Sequence, residues 1–314
     1  MDKRIQQLSY SSMLTLHSCP RKFQLYRMNA TEQPKDMDEQ EMQSVTFAFG
    51  HVVGHGIQCA LAGKSSEQVL LEMFLMWDCN LFAEDTRRKK SFWLAVSAIK
   101  QFMSMRENGL LAGWKVAEYQ GLPACELSFS ITLPHGFIYR GFVDAVLVNE
   151  ETGQIKVLEL KTTSSNNVNQ AMYKNSAQAI GYSVVLDALF PEVSDYEVLY
   201  FIYKTKSAEF EALPFKKSYH MRALWIRELL LDVDTIKLYE DADIYPMRGE
   251  SCFSFYRECE YFNVCQLATE ALTDAITAEE IEAIEKNNSE YQINVSISDL
   301  ISSQLVKHND TISN

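Results

Sequence analysis

Three ionisable residues set in otherwise apolar strands carry the clearest chemical signal in this chain. Asp144 ends Gly141-Phe142-Val143-Asp144. Glu159 and Lys161 lie in Val157-Leu158-Glu159-Leu160-Lys161-Thr162-Thr163. Residues two apart on a strand share a face, so Glu159 and Lys161 project together. Between the two runs stands Glu150-Glu151-Thr152-Gly153, rich in breaker residues, which predicts a hairpin that returns Asp144 to both. Two carboxylates and an ammonium are costly to bury among Val, Leu and Phe without a task. Paired carboxylate oxygens suit Mg²⁺ or Mn²⁺, hard cations that take oxygen ligands. A neighbouring lysine can orient or help deprotonate a water beside a phosphate. The competing reading is a cross-strand salt bridge on a solvated face. Apolar flanks on both faces point to a mostly buried strand and favour the metal.

A second constellation is made of thiols. Cys252, Cys259 and Cys265 fall in Cys-Phe-Ser-Phe-Tyr-Arg-Glu-Cys-Glu-Tyr-Phe-Asn-Val-Cys, a C-x6-C-x5-C spacing without the tight C-x2-C knuckle of common zinc sites. Three clustered thiols make an incomplete metal site, because structural zinc and iron–sulfur clusters generally take four ligands. Cys19, in Cys-Pro-Arg-Lys-Phe, is the best candidate for the fourth. Cys59, Cys79 and Cys125 lie in apolar contexts and read as small core residues. The alternative is three buried thiols near a surface helix.

The elements that must hold these groups can be read from periodicity. Residues 8–28 read as helical, capped by Ser9 and interrupted at Pro20. Residues 29–44 are polar and acidic and read as a linker. Phe47 to Leu61 reads as a helix whose small residues imply close packing, with His51, His55 and Gln58 roughly on one face. Further helices are expected over 66–80 and 86–108. The second would open on Arg87-Arg88-Lys89-Lys90, a solvated helix start in preference to a phosphate-tracking patch. From about residue 115 the period becomes that of strands: Cys125 to Leu133, then the hairpin over 138–161. A helix over 168–190 places Gln178 and Tyr182 one turn apart, with Val185 and Leu189 continuing that side. Val198 to Tyr203 is apolar on both faces and reads as an interior strand. A long helix is expected across 218–240. The tail from 266 to 314 contains the acidic helical piece Glu279-Glu280-Ile281-Glu282-Ala283-Ile284-Glu285 and reads as peripheral.

At 314 residues the chain can bury a sizeable core, and 47% apolar residues is a globular composition. No stretch is long and apolar enough to span a membrane. The first residues, Met1-Asp2-Lys3-Arg4-Ile5-Gln6-Gln7, lack an apolar signal core, so the expectation is a cytoplasmic protein with reduced cysteines. A net charge of −13 excludes a generic basic nucleic-acid coat, so any contact with nucleic acid must be local.

Taken together, these pieces resemble the PD-(D/E)xK nuclease superfamily, in particular its RecB-like branch of AddB-type nuclease domains, CRISPR-associated iron–sulfur exonucleases and phage relatives. The matching stretches run in order over roughly 8–266. They are Leu8-Ser9-Tyr10-Ser11 with Cys19-Pro20-Arg21-Lys22-Phe23, Gly141-Phe142-Val143-Asp144, Glu159-Leu160-Lys161-Thr162-Thr163, Gln178-x-x-x-Tyr182 and the terminal cysteines. The resemblance implies an α/β, restriction-endonuclease-like core: a mixed sheet flanked by helices, with a helical N-terminal region and a C-terminal cysteine clasp. It divides the chain into a helical region (1–114), a nuclease core (115–245), a metal clasp (246–268) and a peripheral tail (269–314). It makes Asp144, Glu159 and Lys161 the catalytic triplet, with the Leu160 carbonyl as a further metal ligand, and Gln178 and Tyr182 a substrate-facing signature. It makes Cys19, Cys252, Cys259 and Cys265 the ligands of a [4Fe–4S] cluster, with zinc as the alternative because of the x6 gap.

The branch also places a metal-binding histidine four residues after a glycine of the first long helix. Counting from Gly50 reaches Gly54, and His55 stands one residue late. His55 is the leading candidate, with His51 and Gln58 as alternatives. The implied function is a Mg²⁺- or Mn²⁺-dependent deoxyribonuclease, an exonuclease of recombination or repair. It would act on DNA that is single-stranded or has free ends, with a recombination or replication protein as a possible partner. Two other readings stand beside it: a catalytically weak nuclease fold serving as a DNA-binding or recruiting module, and a zinc-stabilised interaction protein. Metal-dependent cleavage separates the first from both, and DNA binding without cleavage separates the second from the third.

Overall fold

The computed structural model describes residues 6–27, 44–189, 196–242, 244–254, 257–262 and 265. The acidic linker expected over 29–44 falls almost entirely outside the described residues, and the expected tail helix falls wholly outside them. The chain divides into two units, Met1–Cys259 and Glu260–Asn314. All the elements below belong to the first. In the second, the Cys265 amide donates to the Tyr261 carbonyl at 2.8 Å.

A short strand, β1 (Gln7–Leu8), leads into α1 (Tyr10–Ser18) and α2 (Pro20–Arg27). Ser9 caps α1 as its sequence predicts: its side chain accepts from the Ser12 amide, and Ser12 Oγ accepts from the Ser9 amide at 2.8 Å. Cys19 is extended, with φ −159°, and Pro20 opens α2, where its missing N–H leaves no bond unmade. Then come α3 (Val45–Leu61), α4 (Ser66–Met76), the small pair β2 (Glu84–Asp85) and β3 (Lys90–Ser91), and α5 (Phe92–Glu107). The expected helix over 86–108 starts later than its pattern suggested. Ser91 is the cap, accepting from the Leu94 amide at 3.2 Å, so the basic run lies in the β2–β3 turn and the start of β3 instead of a helix start.

Strand β4 (Trp114–Val116), the small pair β5 (Glu118–Tyr119) and β6 (Leu122–Pro123), β7 (Cys125–Thr132), β8 (Ile138–Asn149) and β9 (Ile155–Thr163) follow. The predicted hairpin is β8–β9. Its turn is stitched by Asn149 Oδ1, which accepts from the Glu151 and Thr152 amides, and closes on Gly153 at φ +70°. After α6 (Gln170–Lys174) and α7 (Ala177–Leu189) come β10 (Tyr196–Lys204), β11 (Glu209–Lys217), α8 (Tyr219–Ala242) and a last small hairpin, β12 (Phe253–Ser254) and β13 (Arg257–Glu258).

Seven strands form one mixed sheet in the order β1-β8-β9-β10-β11, with β4 and β7 also paired to β8. The β8–β9 and β10–β11 pairs are antiparallel and β9–β10 is parallel. The strand expected over Val198–Tyr203 is therefore interior, between β9 and β11. Helices α3, α4 and α5 cover one face: Phe49, Val52, Ile57, Ile99 and Phe102 pack with Ala145, Leu147, Leu158 and Phe201. On the other face, Ala179, Tyr182 and Leu186 of α7 pack with Val143, Val157, Val198 and Tyr200. A third cluster joins Met13, Leu16 and Phe23 to Tyr139 and to Trp225, Leu229 and Val233 of α8. The result is a mixed α/β fold with a central sheet flanked by helices, consistent with a restriction-endonuclease-like core. The close packing expected of α3 is present at Gly56, where an added Cβ would lie 2.8 Å from Ile99 Cγ1 and 3.1 Å from Met73 Sδ.

Candidate active site

The site forms where β8 and β9 part. Their ladder ends at the pair Ala145–Leu158, one step before Asp144 and Glu159. Past that point the backbone of β9 has lost its partner on β8, and the Asp144 side chain takes over. Its Oδ2 accepts from the Leu160 amide at 2.7 Å. The hairpin thus brings Asp144, Glu159 and Lys161 together, as the sequence suggests. They line one cleft of about 450 Å³ between the sheet and α3, together with Leu160, Gln178, Gln58, Glu126 and Lys90.

Glu159 is 1% exposed, with Lys161 Nζ 2.5 Å from its Oε1 as an ion pair. Its partners are the Lys161 ammonium and the Tyr182 hydroxyl, neither in ideal hydrogen-bond geometry. A buried carboxylate with so few donors, facing a second carboxylate, is suited to serve as a cation ligand. Burial, then the facing Glu159 charge, pushes the Asp144 carboxyl up to about 8, against the pull of the Leu160 N–H and Lys161. Glu159 is raised as well, by burial, against the opposing Lys161 charge. Burial alone would lower the Lys161 ammonium, but Glu159, by charge and hydrogen bond, and then Asp144 hold it above its ordinary value. Two repelling carboxylates beside one ammonium fit a divalent cation by charge and by donor type.

The α7 signature completes a chain of contacts. Lys161 Nζ donates to Gln178 Oε1 at 3.1 Å, and Gln178 Nε2 donates to the Tyr182 hydroxyl at 2.6 Å. Gln178 therefore holds the lysine, and Tyr182, buried beneath the sheet, fixes which way the Gln178 amide faces.

Helix α3 separates the three candidates for the histidine position. Gln58 is buried and points at the carboxylates: its Nε2 donates to Glu126 Oε1 at 2.7 Å and to the Asp144 carbonyl at 3.3 Å. His55 reaches the wall of the cleft, but its Nε2 lies 2.9 Å from Glu72 Oε2 on α4 and 3.4 Å from Cys59 Sγ. His51 also lines the cleft and is exposed. His55, Cys59 and Glu72 form a second group able to coordinate a metal ion, the one such trio among the described residues.

Two further cleft residues stand apart from the sequence reading, Glu126 without an assignment and Lys90 against its expected place in a solvated helix start. Glu126, at the start of β7, sits at φ +50°, and its charge acts on both Asp144 and Glu159. Lys90 belongs to the basic run but turns inward, 5% exposed, with its ammonium 5.6 Å from the Phe49 ring centre. A positive φ at a glutamate and a lysine buried at a strand start have no periodic signature.

The expected clasp is approached by the backbone. Ser251 Oγ donates to the Ser18 carbonyl at 2.7 Å, and the Arg21 amide to the Pro246 carbonyl at 3.1 Å. The Cys259 amide donates to the Cys252 carbonyl at 2.8 Å across β12–β13. Segments bearing Cys19, Cys252 and Cys259 are therefore neighbours, and all seven cysteines are free thiols. No clasp-like gathering of their sulfur atoms is formed among the described residues.

A model of the PD-(D/E)XK nuclease superfamily matches residues 7–266. No curated protein matches the chain. Among solved structures, a presumed exonuclease from Eubacterium rectale aligns over 95% of this chain and 94% of its own, at 12% identity and a TM-score of 0.46. The protein SSO0001 aligns over 81% of this chain and 96% of its own, at 14% identity and a TM-score of 0.29.

Proposed function

The chain belongs to the PD-(D/E)XK nuclease superfamily, and from that premise we propose that it is a Mg²⁺- or Mn²⁺-dependent DNA nuclease of the RecB-like branch, an exonuclease of recombination or repair in the cytoplasm. The observation that carries the proposal is the buried Glu159 carboxylate, which lies beside a raised Asp144 and is paired with Lys161 in one cleft. Asp144, Glu159 and the Leu160 carbonyl would hold the cation. When bound, it would supply charge to a phosphate oxygen and acidify a water. The protein's own groups do the rest. Lys161, held between Glu159 and Gln178, presents an ammonium where negative charge grows on the phosphate. Gln178 sets its direction and Tyr182 sets that of Gln178. Gln58, the alternative to His55 at the histidine position, braces Glu126 and the Asp144 backbone. Cys19, Cys252, Cys259 and Cys265 would hold a [4Fe–4S] cluster, or zinc, as a structural clasp remote from the chemistry.

The test is cleavage of end-labelled single- and double-stranded DNA with Mg²⁺ or Mn²⁺ against a chelator control. Asp144→Ala, Glu159→Ala and Lys161→Ala should each lower turnover by about 10²–10³-fold or more, the scale of losing one preorganised charge-stabilising group. Unchanged turnover in all three would sink the assignment. The turn of His55 toward α4 favours a second reading, a catalytically weak fold that binds DNA. Retained DNA affinity without metal-dependent cleavage by the wild type would select it.

A further inference from the structure

The trio beside the cleft has a ligand chemistry unlike that of the carboxylate pair. His55 and Cys59 are four residues apart on α3 and so share a face, and Glu72 comes across from α4. The three ligand atoms form a small triangle: 2.9 Å from His55 Nε2 to Glu72 Oε2, 3.1 Å from Cys59 Sγ to Glu72 Oε2, and 3.4 Å from Cys59 Sγ to His55 Nε2. Bonds to zinc of about 2.0–2.3 Å at tetrahedral angles require edges of roughly 3.4–3.6 Å, so each edge needs to open by only about 0.2–0.5 Å. Cys59 is 3% exposed, while the His55 and Glu72 side chains are 28% and 32% exposed, so the open side faces solvent and leaves room for a water as fourth ligand. A soft sulfur, an imidazole and one carboxylate select zinc-class cations over Mg²⁺.

Lys64 supplies an independent clue. Its ammonium pairs with Glu72 Oε1 and lies 3.6 Å from Cys59 Sγ. A cation therefore already stands against the two ligands that are anionic in a zinc site, and it sits on a chain of rotatable bonds.

We propose that His55, Cys59 and Glu72 form a zinc-class metal site, separate from the carboxylate centre, in which the metal displaces the Lys64 ammonium and ties α3 to α4. Binding takes Zn²⁺ from solution and releases the Cys59 thiol proton to solvent. The residue before Cys59 on α3 is Gln58, turned by about 100° from it and directed onto Glu126 and the Asp144 carbonyl. The site thus fixes the rotation of the helix that aims Gln58.

The experiment is titration of chelator-stripped, reduced, full-length protein with Co²⁺, a spectroscopic stand-in, followed by displacement with Zn²⁺. Wild type is compared with Cys59→Ser, His55→Asn, Glu72→Gln and Lys64→Ala. Circular dichroism confirms that each is folded, and His55→Asn serves should Cys59→Ser fail to fold. Expected are the loss of one equivalent and of one thiolate-to-cobalt band in Cys59→Ser, and at least about 10-fold weaker binding in His55→Asn and Glu72→Gln. Lys64→Ala should bind more tightly, because the competing cation is gone. A Cys19→Ser control should keep the band, which separates this site from the terminal cysteines. Equal stoichiometry and affinity in wild type, Cys59→Ser and His55→Asn would overturn the proposal. The readout needs no DNA cleavage, so it stands or falls apart from the nuclease reading.

Discussion

Asp144 holds its proton far above the ordinary carboxylate range because burial and the facing Glu159 both oppose its charge. The consequence for stability has a definite sign. Its value is raised from 3.8 in the unfolded chain to about 8 in the folded one. Between those values the folded protein binds a proton that the unfolded chain has released, so stability falls as pH rises through that window. Asp144→Asn keeps an oxygen for the Leu160 amide and removes the charge. In chelator at pH 8 it should melt about 5 °C above wild type, and at pH 4 the difference should vanish. Mg²⁺ should raise the melting point of wild type at pH 8 and leave Asp144→Asn unmoved. Identical melting of both proteins in chelator at pH 8 would mean that the carboxylates do not repel. Sequence made this pair legible, because charged residues in apolar strands stand out against the alternation. It did not make Gln58 legible. One residue turns a helix by about 100°, and what directs Gln58 toward the carboxylates is contact with Glu126 and Asp144, far away in the chain.

Helix α3 is the element on which both candidate metal centres depend. Gly56 lets it approach α5 and α4 more closely than any side chain would permit. Gly56→Val adds a branched side chain against Ile99 and Met73, without the helix propensity that an alanine would bring. It should destabilise the protein by about 1–3 kcal/mol in urea unfolding, and cleavage should fall with it because Gln58 moves. Unchanged stability would show that α5 can give way freely. Strand β11 shows why other elements escaped notice. Pro214 interrupts its alternation, and a proline argues against a central strand. In the sheet order β11 is an edge, where the proline's missing N–H need not break a ladder. The hairpin was readable because its turn residues are local, whereas the edge position of β11 is a property of the whole sheet. The late start of α5 is of the same kind: Ser91 could be recognised as its cap only once the basic run before it had found a place in β2–β3.

At the scale of the molecule, the proposed nuclease activity would bring an acidic body to an acidic polymer. With a net charge of −13, such attraction would be local, and Lys161 and the inward-turned Lys90 are the lysines that line the cleft. Lys90→Ala should weaken DNA binding uniformly across sequences and reduce the slope of log affinity against log salt by about 0.7–0.9, one phosphate contact. An unchanged slope would remove Lys90 from the interface.

The terminal cysteines pose the longest-range question. Cys19 and Cys252 are more than two hundred residues apart, yet Ser18 and Ser251, beside them, share a hydrogen bond. A metal joining them would close most of the chain into one loop. Constraint of so long a loop in the unfolded state stabilises the folded one by about 5 kcal/mol, if closure entropy is realised in full. Protein prepared without oxygen should then be brown, with broad absorbance near ~400 nm from thiolate-bound iron. Serine at Cys19, Cys252, Cys259 or Cys265 should bleach it and lower its melting point by roughly 10 °C. Serine at Cys79 or Cys125 should leave the colour, since their surroundings are apolar. Colourless protein with zinc that is lost in these four variants would keep the clasp and change its metal. Metal-free protein melting identically in all four would leave the hydrogen bonds at Ser18, Arg21 and Cys252 as the tie between these segments, and the cluster would have no place in the fold.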